Sequence, residues 1–547
     1  MENAFTSPEN IRWEKILLFS LLLLMPIMSA VPQEIKIIPR PQEIFIPSQD
    51  FVRIGSGNYI EWDENLENSA RYLQEYCLKY YNLVLKTDQN PAGSRENTIY
   101  LNHDKRLSPG QYSLSVSDKG VHIKGSQDGV FYGVQSLIQL MPPDGDFSGE
   151  SIVVPFVEIR DEPRFEYRGM LLDVSRYFFD IEFLKKCVDF AAWHKLNYFH
   201  VHLTDDQGWR IEIKKYPELT ETGSWRNGTM TGLWPGTGND SIRHGGYYTR
   251  DQLKELVAYA KERHVTIVPE IEMPGHSLSA LASYPWLGCT GGPYEVKQSW
   301  GGSIDVLCPG KESTFEFLKN VLDEVIEIFP SQYIHIGGDE CQKDRWKECP
   351  LCQERIRTEG LKDETGLQSY FIKRIEKHLN LRDRIMIGWD EILEGGVAPN
   401  AIVMSWRGDG EKGCLEAIRA GNKVILSPSF GFYLDYPQTS FEDSLAADWG
   451  GVTPLHKTYN FEPVYKSLRP EDVKWILGGQ ANVWTEYIRY PSKMEYMTFP
   501  RLSAASEVLW SPEGSRDWED FKDRLDVQYK RYRLWGIRYN PADPDAK

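Results

Sequence analysis

The chain has 547 residues and carries 79 acidic against 62 basic side chains, a formal net charge of -17, so it is long enough for one large domain plus an accessory one. No basic tail or Lys/Arg-dense helix offsets that charge, which excludes a protein that tracks a nucleic-acid backbone. With 17 Trp, 29 Tyr and 23 Phe the chain is rich in rings of the kind that pack on sugar faces, although most aromatic side chains in a globular protein serve its core.

Arg12 and Lys15 precede an apolar run over 16–25, and Pro26, Ser29 and Ala30 follow it. That is the layout of a secretory signal over residues 1–30, too short for a comfortable membrane span. The expectation is export to periplasm, cell surface or medium, or a lysosomal address in a eukaryotic host, with no stable membrane span once the signal is removed. Met28 stands where a small residue is preferred upstream of the cut, so retention as an N-terminal anchor stays open.

Residues 31–160 alternate strand-like runs with helical periodicity over 69–81 and 129–141, then a further strand over 152–159. This predicts a smaller α+β accessory domain with no catalytic cluster. From 161 to 511 short apolar strands alternate with longer helical stretches, the pattern of an α/β chain closed as a (β/α)8 TIM barrel. The predicted barrel strands are 167–174, 197–203, 265–271, 332–337, 384–389, 401–406, 423–427 and 475–481. Helices are expected over 181–194, 249–263, 311–329, 365–379 and 410–420, with a closing helical region over 491–509. Residues 512–547 read as a helical tail packed on the barrel, centred on 518–532.

All eight cysteines (Cys77, Cys187, Cys289, Cys308, Cys341, Cys349, Cys352 and Cys414) lie beyond the signal. Cys289 and Cys308 bracket a glycine-rich loop that a disulfide would brace in an oxidising compartment. Cys341, Cys349 and Cys352 crowd together further on, and a single Cys-x-x-Cys with one extra cysteine argues for loop bracing or free thiols ahead of zinc.

In such a barrel the reactive groups gather at the C-terminal strand ends. The fourth strand runs into His335-Ile-Gly-Gly-Asp339-Glu340, and alternation along a strand would aim the two carboxylates in different directions. The second strand exits into His202-Leu-Thr-Asp205-Asp206-Gln-Gly-Trp209-Arg, and the third into Glu272-Met-Pro-Gly-His276. The fifth offers Gly388-Trp389-Asp390-Glu391, the sixth Trp406, the seventh Tyr433 and Asp435, and the eighth Trp484-Thr-Glu486. Carboxylates and tryptophans dominate.

On these motifs, in this order, the chain resembles the family 20 glycoside hydrolases, the β-N-acetylhexosaminidases, of the exported bacterial type. The resemblance implies exo-acting, retaining hydrolysis of terminal β-linked GlcNAc or GalNAc from glycans, with no metal or organic cofactor; a homodimer stays open. It further implies substrate-assisted catalysis, in which the 2-acetamido oxygen of the sugar attacks the anomeric carbon and forms an oxazolinium ion. By motif position Glu340 is the general acid and base, its carboxyl expected to be raised by partial burial and by Asp339. Asp339 and Tyr433 hold the acetamido group, Trp389, Trp406 and Trp484 wall it, and Arg168, Asp435 and Glu486 bind ring hydroxyls. His276 and Asp205 orient Glu340. Glu272, Asp173 and Glu391 read instead as hydrogen-bonding groups at the barrel rim. The rival readings are a relative releasing a disaccharide, a non-catalytic glycan-binding barrel, and a glycosidase with a protein nucleophile.

Overall fold

The computed structural model describes residues 35–89, 96–145, 147, 149–440, 446–447 and 449–541, and the expected signal segment lies outside them. No helix among the described residues is long and apolar enough to cross a membrane.

The N-terminal part is built on a seven-stranded sheet in the order Glu43–Phe45, Val157–Asp161, Tyr112–Ser117, Gly120–Gly125, Ile99–His103, Tyr59–Trp62 and Lys86–Gln89. Helices Glu67–Tyr81 and Gln127–Leu140 pack against it, the second buried from Gly129 onwards because its periodicity is apolar almost all round. The single strand expected over 152–159 is two. Ser151–Pro155 pairs with Phe51–Gly55 in a separate ribbon, and Val157–Asp161 joins the main sheet. The break follows Pro155, which has no N–H to continue a ladder.

Eight parallel strands then close a barrel: Tyr167–Asp173, Tyr198–His202, Thr266–Glu270, Tyr333–His335, Ile385–Trp389, Ile402–Ser405, Val424–Leu426 and Ile476–Val483. The first and last seal it, with Leu171 opposite Asn482. All eight fall where the apolar runs predicted them. The fourth is shorter than expected, ending at His335, because Gly337 and Gly338 take φ of +66° and +95°, which no pleated strand accommodates. Inside, Tyr167, Tyr198 and Tyr333 plug the end where the strands begin, the first two stacked at 4.2 Å. Val268, Ile387, Met404 and Ile425 fill the barrel above them, so the polar groups collect at the other end.

The closing region is two helices, Pro491–Thr498 and Arg501–Trp510, and the tail helix Trp518–Trp535 wedges against the N-terminal part. Trp535 stacks on Trp193 at 4.4 Å and donates its indole N–H to Tyr76. The seam below it turns on one buried ion pair. Lys195 Nζ lies 3.0 Å from Asp161 Oδ2, both side chains fully buried, while Tyr112 Oη and Trp510 Nε1 also donate to that carboxylate. All eight cysteines are free in this structure, including Cys289 and Cys308, the two that a bridge across the glycine-rich loop would use.

Removing one member of a buried pair leaves the other charge uncompensated. Asp161→Ala is expected to cost about 3–5 kcal/mol in chemical unfolding, and Asp161→Ala/Lys195→Met to recover part of that loss.

Candidate active site

At the C-terminal end of the strands a cavity of ≈ 460 Å³ is lined by Arg176, His276, Asp339, Glu340, Asp435 and Glu486 between the rings of Trp389, Trp406, Tyr433 and Trp484. Two hollows of ≈ 490 and ≈ 460 Å³ open at the opposite end around Tyr333, so volume does not select the site; chemistry does. Four carboxylate oxygens of this pocket, Asp339 Oδ1, both oxygens of Asp435 and Glu486 Oε2, are buried with no hydrogen-bond donor from the protein. Buried acceptors are costly unless paired, so the pocket is built for a ligand that brings several donors.

The backbone that presents Asp339 and Glu340 is not strand. A Cβ on Gly337 would collide with the Glu272 carboxylate, and Glu340 itself sits at φ +44°, a left-handed conformation that side chains rarely adopt. The expectation that pleat alternation separates the two carboxylates is thereby corrected, since left-handed backbone rather than a strand presents them and each has an oxygen 3.6 Å from His276 Nε2. Across from them His276 is also left-handed, at φ +46°.

His276 is the electrostatic hub. Its Nε2 lies 3.6 Å from Asp339 Oδ2 and from Glu340 Oε2, and its Nδ1 3.2 Å from Asp205 Oδ1. Burial opposes its protonation, but Asp205, Asp339 and Glu340 outweigh burial and hold the imidazole well above its ordinary range. Asp205, although buried, is held well below the carboxylate range by Arg176, His276 and His202. Asp339 is pushed up to about 6, first by burial and then by Glu340 and Glu270. Glu340 departs from expectation. Its side chain is 48 % exposed, and the contact with His276 lowers its carboxyl below the ordinary 4.5. The sequence reading counted Asp339 as its neighbour but not the imidazolium between them.

Trp389 donates its indole N–H to Glu270 Oε1 at 2.9 Å, and Trp406 to Glu391 Oε2 at 3.0 Å, which fixes both rings as walls. Tyr433 is held by a bridge to Asn482 and lies parallel to Trp406 at 6.2 Å, with Trp484 at 6.1 Å on its other flank. Trp234, Phe430 and Trp449 add a half-exposed apolar rim that the sequence reading missed, since they stand in loops without periodicity.

Arg168 is not in the pocket. It opens the first strand at the opposite end, donating to Phe165 O at 2.7 Å, Lys195 O at 2.9 Å and Tyr132 Oη at 3.0 Å, with its guanidinium 5.0 Å from the Trp510 ring. Its work is at the domain seam. The arginine of the pocket is Arg176, three residues past the end of that strand. Its Nη2 lies 2.9 Å from Asp205 Oδ2 and 3.8 Å from Glu486 Oε1, its Nη1 3.2 Å from Asp173 Oδ2, and its guanidinium covers Trp484 at 5.2 Å. The rule that barrel sites form where strands end would have chosen it.

Beneath the pocket, in a polar floor, Glu270 is bonded to His202 Nδ1 at 2.5 Å and accepts the Trp389 indole N–H, with His200 Nε2 3.0 Å and His335 Nδ1 2.8 Å from its oxygens, the latter nitrogen accepting the Gly337 N–H. His202 is pushed up to about 10, because Glu270 and Asp205 overcome its burial. Three acid-histidine groups in this floor lie close enough to ligate a cation, although His202 is already bonded through both ring nitrogens to Glu270 and Asp205. A fourth group, of four cysteines, lies in the loops beside the pocket.

The profile of Glycosyl hydrolase family 20, catalytic domain, matches residues 165–513, and that of domain 2 of the same family matches 34–162. A beta-hexosaminidase of Porphyromonas gingivalis is 44% identical over 520 residues, covering 93% of this chain; the chain spans 65% of that protein's length. A beta-hexosaminidase of Vibrio furnissii is 36% identical, covering 86% of this chain and 76% of that protein. Among solved structures, the GH20 exo beta-N-acetylglucosaminidase of Vibrio harveyi in complex with N-acetylglucosamine superposes with a TM-score of 0.83 at 32% identity, covering 93% of this chain and 79% of that one. The Streptomyces plicatus N-acetyl-beta-hexosaminidase in complex with Thio-NAglucal gives 0.81 at 31%, covering 93% and 97%.

Glu391 supplies a test of these electrostatics. Burial, then Asp339 and Asp390, push its carboxyl up to about 8 from an ordinary 4.5, so the folded chain keeps a proton that the unfolded chain releases. Its contribution is fully present below pH 4.5 and drains away as pH rises towards 8. Glu391→Gln, which keeps an acceptor for Trp406, is expected to raise unfolding stability at pH 8.5 by roughly 2–4 kcal/mol and to change it little at pH 4.5.

Proposed function

The chain belongs to glycosyl hydrolase family 20, and from that membership we propose that it is an exo-acting, retaining β-N-acetylhexosaminidase that removes terminal β-linked GlcNAc or GalNAc from glycans. The observation that carries this reading is the set of orphaned buried acceptors on Asp339, Asp435 and Glu486 within walls of tryptophan. A sugar supplies hydroxyl donors to two of these residues, and a 2-acetamido group supplies an N–H to the third. The floor around Glu270 and the Arg176 cluster close the pocket behind one ring, which favours cleavage from a chain end. In this reading residues 1–30 direct export.

In this reading the residues of the pocket divide the reaction among them. Trp389, Trp406 and Trp484 exclude water from the acetamido group and hold it bent under the anomeric carbon, converting attack by its oxygen into an intramolecular step. Asp339 accepts the acetamido N–H and stabilises the positive charge that develops as the oxazolinium forms, while Tyr433 donates to the acetamido oxygen. Glu340 gives its proton to the departing oxygen, then takes one from the water that opens the ring.

The pair begins in the wrong protonation state for this. In the free site burial raises Asp339 to about 6 while His276 lowers Glu340, so of the two acids Asp339 is the one that holds a proton more readily. A sugar that covers Glu340 removes its water and raises it, while the acetamido N–H lowers Asp339, so binding itself moves the proton to the residue that must donate it.

Aryl N-acetyl-β-glucosaminide is expected to be hydrolysed and the matched β-glucoside not; equal rates, or a glycosyl ester trapped on a side chain, would overturn the mechanism. Glu340→Gln should lower kcat on poor leaving groups by about 10²–10⁴-fold. Asp339→Asn should slow even activated substrates by about 10²–10³-fold. Because the free pair must bring one proton for transfer to Glu340, kcat/KM should fall as pH rises through about 6, where Asp339 releases it, and Glu340→Gln, which has no acid to receive the proton, should lose that alkaline limb on activated substrates.

A further inference from the structure

We propose that Cys289, Cys308, Cys349 and Cys352 form a structural zinc site that ties together the two loops flanking the catalytic carboxylates. Their sulfurs all lie within 4.8 Å of one another, with Cys308 3.5 Å from Cys352, Cys308 3.8 Å from Cys349, and Cys289 3.8 Å from Cys352. A disulfide would bring two sulfurs to about 2.0 Å. Four thiolates placed tetrahedrally at about 2.3 Å from a zinc ion stand about 3.8 Å apart, which is the spacing found here. An all-sulfur set disfavours calcium and magnesium, which take oxygen ligands, and separations this short leave room for one ion rather than a multi-iron cluster.

The surroundings are those of a closed site. Cys308, Cys349 and Cys352 are buried in an apolar cluster with Val306, Trp346 and Ile356. Cys349 precedes helix Pro350–Thr358 and Cys352 lies in its first turn, so two ligands come from one rigid element. Trp346 Nε1 donates to Leu307 O at 3.0 Å, Arg345 Nε to Asp305 Oδ1 at 2.7 Å, and a Cβ on Gly310 would collide with the Leu351 backbone. Cys341 stands outside the set and is not a ligand.

The ion would join the long loop after the third strand, which brings Gly301 to the pocket wall, to the segment that follows Glu340. Sequence spacing hid this, because the ligands come from two segments and only the second has a Cys-x-x-Cys.

Elemental analysis of the full chain, purified without a metal-affinity step and dialysed against EDTA, should find about one zinc per chain, released by a mercurial thiol reagent as the four cysteines react. Cys341→Ser should keep its zinc. Cys349→Ser/Cys352→Ser should lose it and melt several degrees lower. If that variant does not fold, the measurement on the unaltered chain decides alone. Metal below about a tenth of an equivalent, iron in place of zinc, or intact mass showing disulfides among these four cysteines would overturn the proposal.

Discussion

The constraint on which this molecule is organised is an excess of carboxylates in a small dry volume. Asp173, Asp205, Glu270, Asp339, Asp435 and Glu486 crowd the mouth and floor of one barrel, and Arg176, His202 and His276 stand against them with positive charge. Where the cations outweigh burial, the carboxyl is lowered, as at Asp205 and Glu270. Where burial and neighbouring acids outweigh the cations, the carboxyl is raised, as at Glu272, which has Asp339 and Glu270 beside it, and at Asp435, which has Glu486. Burial, neighbouring acids and the placement of these cations therefore drive the acids of the pocket apart. His276 matters most, since it stands between the two carboxylates that do opposite things to the substrate.

The barrel was legible in the sequence because strand periodicity is a local property: eight apolar runs bounded by polar or glycine-rich segments gave eight strands. The motif residues were legible for the same reason, each standing directly after such a run. What failed depended on a third partner. Arg168 and Arg176 bracket the same strand, and only the direction of that strand tells which end meets the pocket; the first braces the seam against Tyr132 and Trp510, the second reaches Asp205 and Glu486. Glu340 was expected to be raised by Asp339, but His276, 64 residues earlier in the chain by its number, lies close enough to reverse the sign. The cysteines needed two distant loops to meet before their number meant anything.

Backbone strain shows how closely those loops are bound. A left-handed conformation costs an ordinary side chain about 1–2 kcal/mol, and two residues that face each other across the pocket, His276 and Glu340, both adopt it. Neither would persist on a free loop. The third and fourth strands are laced beyond their regular ends, by Ile271 N–H to His335 O at 3.0 Å and Met273 N–H to Ile336 O at 3.1 Å, and the outer loop is pinned back by Leu307 N–H to Pro274 O at 3.0 Å. Each bond fixes the segment on one side of His276 or Glu340, so the strain is held by ordinary backbone hydrogen bonds a few residues away. Relaxing either residue to a right-handed conformation would swing its side chain out of the contact that places the imidazolium between the carboxylates. The strain is thus the local expense of keeping one imidazole nitrogen within reach of both acids.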